Sequence, residues 1–297
     1  MKSIGKPLVH LTALATVTVW GSTFVFTKML LQAGLSPAQI FTLRFLTAYV
    51  LLLVFSAVTH RLSLRSKCWQ DEGVMLLLGV TGGSLYFLAE NAALLFTTAT
   101  NASLIVCSCP LFTMLLVALF FRRSERFTRR QATGSLLAFI GMAAVVLNGH
   151  FVLRLSPVGD LLAFVACLCW AVYSLLMRYA SAFYSPLFIT RKVFFYGLLT
   201  IIPYYIVRPG FPSWQLLLRP DVALNLLFLG VVASMLCFLV WNWVIRRLGA
   251  LVATNWVYLN PVSTILFAWW LLGEQITLWF LLGTVFILLG MFVCDRR

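Results

Sequence analysis

The stretch VMLLLGVTGGSLYFLAENAALLFT, Val74 to Thr97, decides the class of this chain. At about 1.5 Å per residue it is long enough to cross a hydrocarbon layer about 30 Å thick. The two polar residues near its end, Glu90 and Asn91, are of the kind such a layer tolerates only against a partner or a wet space. Runs of the same character recur along the chain, at roughly 9–31, 37–59, 74–97, 99–121, 129–148, 157–180, 186–207, 222–246, 250–272 and 275–294. The expected fold is therefore all-α integral membrane, with ten transmembrane helices.

Composition agrees. Of 297 residues, 62% are hydrophobic and 10% charged, against about 45–50% and about 25% in soluble domains. The longest connections, about 60–73 and 208–221, are too short to hold a catalytic or nucleotide-binding domain. The basic N-terminus leads into an apolar run that could be a signal peptide. Its length, its Trp20 and Lys28, and the lack of a small-residue cleavage site predict a retained first span.

The net charge of +14 is placed by side. With the N-terminus inside, Lys2, Lys6, Arg61, Arg65, Lys67, Arg122, Arg123, Arg126, Arg129, Arg130, Arg178, Arg246, Arg247, Arg296 and Arg297 fall on one side, and Lys28, Arg154, Arg208 and Arg219 on the other. This is the positive-inside pattern. It predicts cytoplasmic termini in a bacterial inner membrane, and a lipid bilayer rather than nucleic acid as the partner of the basic residues. Cys107 and Cys109, like Cys167 and Cys169, are two apart, and His10, His60 and His150 are scattered. That spacing holds no metal and predicts free thiols, with no cofactor.

Sliding the chain on itself by about 150 residues aligns Trp20 and Lys28 with Trp170 and Arg178, Ser36-Pro37 with Ser185-Pro186, Gly79 and Asn91 with Gly230 and Asn242, and Pro110 and Thr113 with Pro261 and Thr264. After a short slip, Glu125, Thr128, Gly134 and Gly141 align with Glu274, Thr277, Gly283 and Gly290. Residues 1–150 and 151–297 thus read as two copies of five spans each. An odd number of spans inserts the second copy upside down. Inverted-topology repeats of this kind build secondary transporters with the site at the repeat interface. Gly79-x-x-x-Gly83 and Gly230-x-x-x-Ser234 predict close helix packing, as do Gly134 with Gly141 and Gly283 with Gly290. Pro110 and Pro261 lie mid-span and predict kinks at matched positions.

Trp20-Gly21-Ser22-Thr23-Phe24, Arg44, the proline-bearing fourth and ninth spans and Leu272-Gly273-Glu274 together resemble the EamA family of the drug/metabolite transporter superfamily. The resemblance covers the whole chain. It implies ten helices in two inverted five-helix repeats around a central cavity, and outward movement of amino acids, nucleosides, other metabolites or toxic cations, often in exchange for protons. It departs at Arg122-Arg123-Ser124-Glu125, and it assigns no role to Glu90.

A charge at mid-span costs about 2.5–3.5 kcal/mol on insertion scales, so Glu90 must face a partner or a cavity. Tyr86 and Thr97 share its helix face. It is either an anchor ion-paired with Arg44 or a cavity carboxyl that carries the coupling proton or meets a cationic substrate. Asn91 and Asn242 can bind a polar solute or tie helices together. Trp20, Trp170 and Tyr173 lie mid-span, away from the interfacial belts, and are candidate cavity aromatics. Trp256, Asn260, Ser263, Thr264 and Phe267 form a stripe beside Pro261, from which Trp256 and Asn260 are the candidates. Arg191 and Lys192 are expected to snorkel structurally. No phosphate loop, Ser/His/Asp set or carboxylate cluster is present, so the reading is a non-enzymatic transporter of a small-molecule substrate driven by a gradient, with a coupling proton. A lipid or lipid-linked-sugar flippase and an uptake permease are the rival readings. Oligomeric state is left open.

Overall fold

The computed structural model describes residues 6–60, 63–97, 99–120, 128–147, 156–208, 210–272 and 276–295. Lys2, Arg61, Arg122, Arg123, Ser124, Glu125, Arg126, His150, Arg154, Gly273, Glu274, Arg296 and Arg297 lie outside the described residues. All regular structure among the described residues is helical. Nine helical stretches there are long and apolar enough to cross a membrane. The tenth expected span is also a helix, Leu278–Asp295, but its apolar part, Leu278–Cys294, is shorter than the rest.

Helices α1 (Lys6–Gln32) and α2 (Pro37–Val58) are unbroken. Ser36 caps α2 with a capping box: its Oγ accepts from the Gln39 N–H at 3.3 Å, and the Gln39 Oε1 accepts from the Ser36 N–H at 2.9 Å. Pro37 at the first turn needs no N–H there. The matched Ser185 caps α9 without the reciprocal bond, its Oγ accepting from Phe188 N–H at 3.3 Å. The repeated Ser-Pro pairs are therefore helix starts.

The third span is in two pieces. α3 (Trp69–Gly79) and α4 (Leu85–Phe96) are joined through a widened, π-type turn at Val80–Ser84, where Gly83 leaves helical geometry at φ −129°, ψ −108°. α3 begins earlier than expected and takes Asp71 and Glu72 into its first turn, where acidic groups complement the helix dipole. The fourth span is α5 (Ala99–Val106) and α6 (Cys109–Phe120), broken immediately before Pro110. α7 (Arg129–Leu147), α8 (Pro157–Phe183) and α9 (Pro186–Val207) follow, then a short α10 (Trp214–Leu217). The eighth span repeats the pattern of the third: α11 (Pro220–Leu227), a widened turn at Phe228–Leu236 and α12 (Cys237–Leu248). The ninth repeats the fourth: α13 (Ala250–Asn255), a tightened turn at Trp256–Leu259 and α14 (Asn260–Leu272), with Pro261 at the break. α15 (Leu278–Asp295) closes the order.

Large apolar side chains point outward, among them Val54, Phe55, Val58, Ile202 and Ile206, as a lipid-facing surface requires. Inside, small residues set the contacts. A Cβ added at Gly134 would lie 2.6 Å from the Gly290 carbonyl oxygen, and one at Gly141 would lie 2.6 Å from that of Gly283. This crossed order means that α7 and α15 run antiparallel, backbone against backbone. Repeat-matched contacts also cross the halves: Gly79 meets Tyr196 and Gly197, while Gly230 meets Thr47 and the Arg44 carbonyl.

Replacing Gly141 or Gly283 by alanine is expected to destabilise the protein by about 1–3 kcal/mol, because neither backbone can retreat from the other. Thermal unfolding in detergent measures it. Gly73→Ala, where nothing lies within 4 Å of the added Cβ, should leave the midpoint nearly unchanged.

Candidate functional site

A small cavity opens where the broken spans converge. Six of the expected site residues line it: Trp20, Arg44, Tyr86, Glu90, Trp170 and Asn260. Each comes from a different local cause. Trp20 and Trp170 sit at matched places on α1 and α8, and their rings meet edge to face with centroids 5.3 Å apart. Tyr86 and Glu90 follow the widened turn on α4 and share a face. Asn260 follows the tightened turn before Pro261.

Glu90 and Arg44 are both buried, yet they do not form an ion pair. Tyr86 donates its hydroxyl to Glu90 Oε1 at 2.7 Å. Arg44 donates Nε to Ser234 Oγ at 2.9 Å, and its guanidinium carbon lies 4.4 Å from the centre of the Phe87 ring. The carboxylate and the guanidinium thus stand in one cavity wall on separate supports, and each has capacity left for a ligand. Aromatic rings of Phe87 and Phe238 complete a largely apolar surround, the usual make-up of a small-molecule site.

Four candidates go elsewhere. Asn91 Nδ2 donates to the Pro37 carbonyl at 3.3 Å, tying α4 to the start of α2. Tyr173 donates to Asn242 Oδ1 at 2.7 Å, and Asn242 Nδ2 donates to Thr190 Oγ1 at 2.8 Å. Both asparagines are therefore interhelical ties, and Tyr173 is packed against Gly82 of the widened turn. Trp256 contacts His10, with ring centroids 5.8 Å apart, and lines a separate apolar pocket with Leu288 and Met291. Thr97 leaves the Glu90 stripe and donates to Asp160 Oδ1 at 3.2 Å, because α4 has ended. Lys28 is exposed on α1.

Two further differences concern the opposite end of the bundle. Lys192 does not snorkel; its Nζ donates to Glu72 Oε1 at 2.7 Å, and Tyr196 donates to Glu72 Oε2 at 2.5 Å. Arg191 donates to the Ser63 carbonyl. Tyr184, in the connection before α9, donates to Asp71 Oδ2 at 2.5 Å, and burial beside that acceptor pushes its hydroxyl pKa up. The bonds of Lys192 and Tyr196 to Glu72 join α3 to α9, and the other two tie α9 to Ser63 before α3, and Tyr184 before α9 to α3. Ser234, which holds Arg44 from behind the cavity wall, stands where the first half has Gly83 and reads in the sequence as a packing position. Its hydroxyl, in place of glycine's hydrogen, was the available signal. Among the described residues no group of histidines, cysteines and carboxylates could hold a metal, and the cysteines are free thiols.

A bundle of apolar helices broken around a central cavity that holds a buried carboxylate and guanidinium in a mainly apolar wall is the form of a multi-pass membrane transporter. The model of the EamA-like transporter family matches residues 7–147 and again 157–294, and the chain belongs to that family. It is 28% identical over 97% of both chains to an "Uncharacterized transporter" of Archaeoglobus fulgidus. It is 26% identical to the "Uncharacterized transporter YdfC" of Bacillus subtilis, over 91% of this chain and 85% of that one. It is also 26% identical to a "Probable terminal-alkyne amino-acid exporter" of Streptantibioticus cattleyicolor, over 95% of this chain and 91% of that one. A solved crystal structure superposes with a TM-score of 0.74 over 97% of each chain at 17% identity, a likeness of fold alone.

Asn242→Leu is expected to lower stability by roughly 0.6–1.7 kcal/mol, the range of interhelical hydrogen bonds in membranes, while leaving ligand binding at the cavity close to that of the wild type. Unfolding midpoints and a binding isotherm, measured on one preparation, separate the two effects.

Proposed function

We propose that this protein is a secondary active exporter of small metabolites, coupled to protons and working by alternating access between inverted halves, residues 1–150 and 151–297. The observation that carries the reading is the cavity itself, bounded by interrupted helices at matched positions of the two sequence halves, with a carboxylate in its wall. Interrupted spans at corresponding places are the strongest sequence-level pointer to a transport site. The antiparallel contact of the repeat-matched α7 and α15 is what a two-fold axis in the membrane plane would produce, with ten crossings and both termini in the cytoplasm of an inner membrane.

Amino acids, nucleosides and organic cations are the substrate classes to be tried. The first is favoured by the relative named as an amino-acid exporter. Glu90 is the coupling group on this reading. It is buried, it is not ion-paired with Arg44, and its repeat counterpart is Trp241, so it is unique to one half. A proton taken up at Glu90 from one side and lost to the other removes the cost of carrying a bare charge through the change of state.

Reconstitution into liposomes with a panel of these solutes, with and without a pH gradient, is the test. Gradient-dependent movement of at least one class is expected, and scrambling of labelled lipid with no solute movement would overturn the reading. Glu90→Gln should abolish the response of the remaining solute movement to the pH gradient. If that variant is inserted normally and still responds to pH as the wild type does, Glu90 is not the proton carrier.

A further inference from the structure

Two polar atoms in the cavity wall are left without a partner by folding. Trp170 is 5% exposed and Asn260 7%, both line the cavity, and among the described residues neither Trp170 Nε1 nor Asn260 Oδ1 has a hydrogen-bond partner. One is a donor and the other an acceptor. Buried polar groups are nearly always bonded, so an opposite pair facing one space points to what that space receives.

The repeat explains why Trp170 is available. Its counterpart Trp20 donates Nε1 to the Ala233 carbonyl at 2.9 Å, inside the widened turn of the second half. The carbonyl at the matched place in the first half belongs to Gly82. There the Tyr173 ring covers the backbone so closely that a Cβ on Gly82 would lie 2.2 Å from it. At the place matching Tyr173 the first half has Thr23, which is smaller and lines the cavity. The two indoles thus have different duties: Trp20 closes a backbone bond and Trp170 keeps its N–H. Trp241 gives a comparison. Its Nε1 is also unpartnered, but it is packed against Trp20, with centroids 5.1 Å apart, and is not part of the cavity lining.

Resting on the transporter reading above, we infer that Trp170 Nε1 and Asn260 Oδ1 orient the solute, and that the solute is a zwitterion with an amino-carboxylate head. The Trp170 N–H takes a carboxylate oxygen, and the Asn260 oxygen takes an ammonium N–H. Arg44 and Glu90, held apart by Ser234 and Tyr86, supply the matching charges, and the apolar body lies among Phe24, Phe87 and Phe238. A plain organic cation would use Glu90 and Asn260 but leave Arg44 and the Trp170 N–H unanswered in a buried wall. The cavity therefore selects zwitterions over cations.

The test uses the full chain in proteoliposomes, with inhibition of labelled L-leucine movement by L-leucine, by isoamylamine, which lacks the carboxylate, and by 4-methylvalerate, which lacks the ammonium. The wild type should bind each truncated probe about tenfold or more weakly than L-leucine, the size expected for leaving one buried partner unmade. Trp170→Phe should weaken L-leucine and 4-methylvalerate by about tenfold and leave isoamylamine unchanged. Asn260→Leu should weaken L-leucine and isoamylamine and spare 4-methylvalerate, and Trp241→Phe should shift no ratio. Benzothienylalanine at position 170, which puts sulfur in place of N–H, repeats the Trp170→Phe result if that variant fails to fold. Equal losses for all three probes would make the two residues packing groups and overturn the inference while transport stands. Isoamylamine competing as well as L-leucine would overturn it in favour of a cation site. Wild-type protein that moves no solute at all on any gradient would remove both the inference and the transport reading.

Discussion

A backbone amide or carbonyl that loses its helical partner in hydrocarbon has no water to replace it, so irregular backbone survives in a membrane only against protein or beside a wet cavity. Four interruptions occur within the spans among the described residues: Val80–Ser84, the step between Val106 and Cys109, Phe228–Leu236 and Trp256–Leu259. Much of the cavity lining is drawn from their immediate surroundings, the rest from the unbroken α1, α2 and α8. Tyr86 and Glu90 follow the first, Val106 and Cys109 flank the second, Phe238 follows the third, and Val257 and Asn260 belong to the fourth. The breaks and the cavity are one feature, since each supplies the condition under which the other is tolerated.

Around that centre, close approach is provided by glycine. Lipid tails are as apolar as leucine, so helices in a bilayer gain little by hiding leucines from it, and contact distance takes over the role of hydrophobic burial. α7 and α15 meet through two glycine pairs. Gly21 lets α1 lie against α14: its carbonyl accepts from Thr264 Oγ1 at 2.8 Å, and a Cβ there would come 2.5 Å from the Asn260 carbonyl oxygen. The residue that makes room for α14 is thus one position from Trp20, and the Asn260 backbone is fixed by the same contact that leaves its side chain facing the cavity.

Much of this was legible in the residues. Apolar length gave the spans, prolines 110 and 261 gave two of the breaks, and a charge that cannot face lipid gave Glu90. Trp20 and Trp170 could be placed from their mid-span position. What escaped was decided by neighbours distant in sequence. Asn91, Asn242 and Tyr173 had the chemistry of ligands, but Pro37, Thr190 and one another were in reach. The Glu90–Arg44 pair was plausible by depth alone. It did not form because Tyr86 and Ser234 were nearer to each charge, and a serine four residues after Gly230 announces packing more loudly than it announces a partner for arginine. Lys192 found Glu72 because α3 starts at Trp69, a boundary that hydropathy places too late.

The widened turn at Val80–Ser84 has a consequence for how such a cavity changes over time. An α-helix advances by about 100° per residue, and a π-type turn takes in one residue more than an α-turn does. The rotational phase of α4 is therefore set by a five-residue segment that carries no charge, and is independent of the phase of α3. Losing one residue there would swing Glu90 and Asn91 about 100° around the helix axis without altering either. The polarity of the cavity is in this sense encoded as an angle, and a lineage could empty or refill it by an insertion or deletion in the turn while every cavity side chain stayed the same.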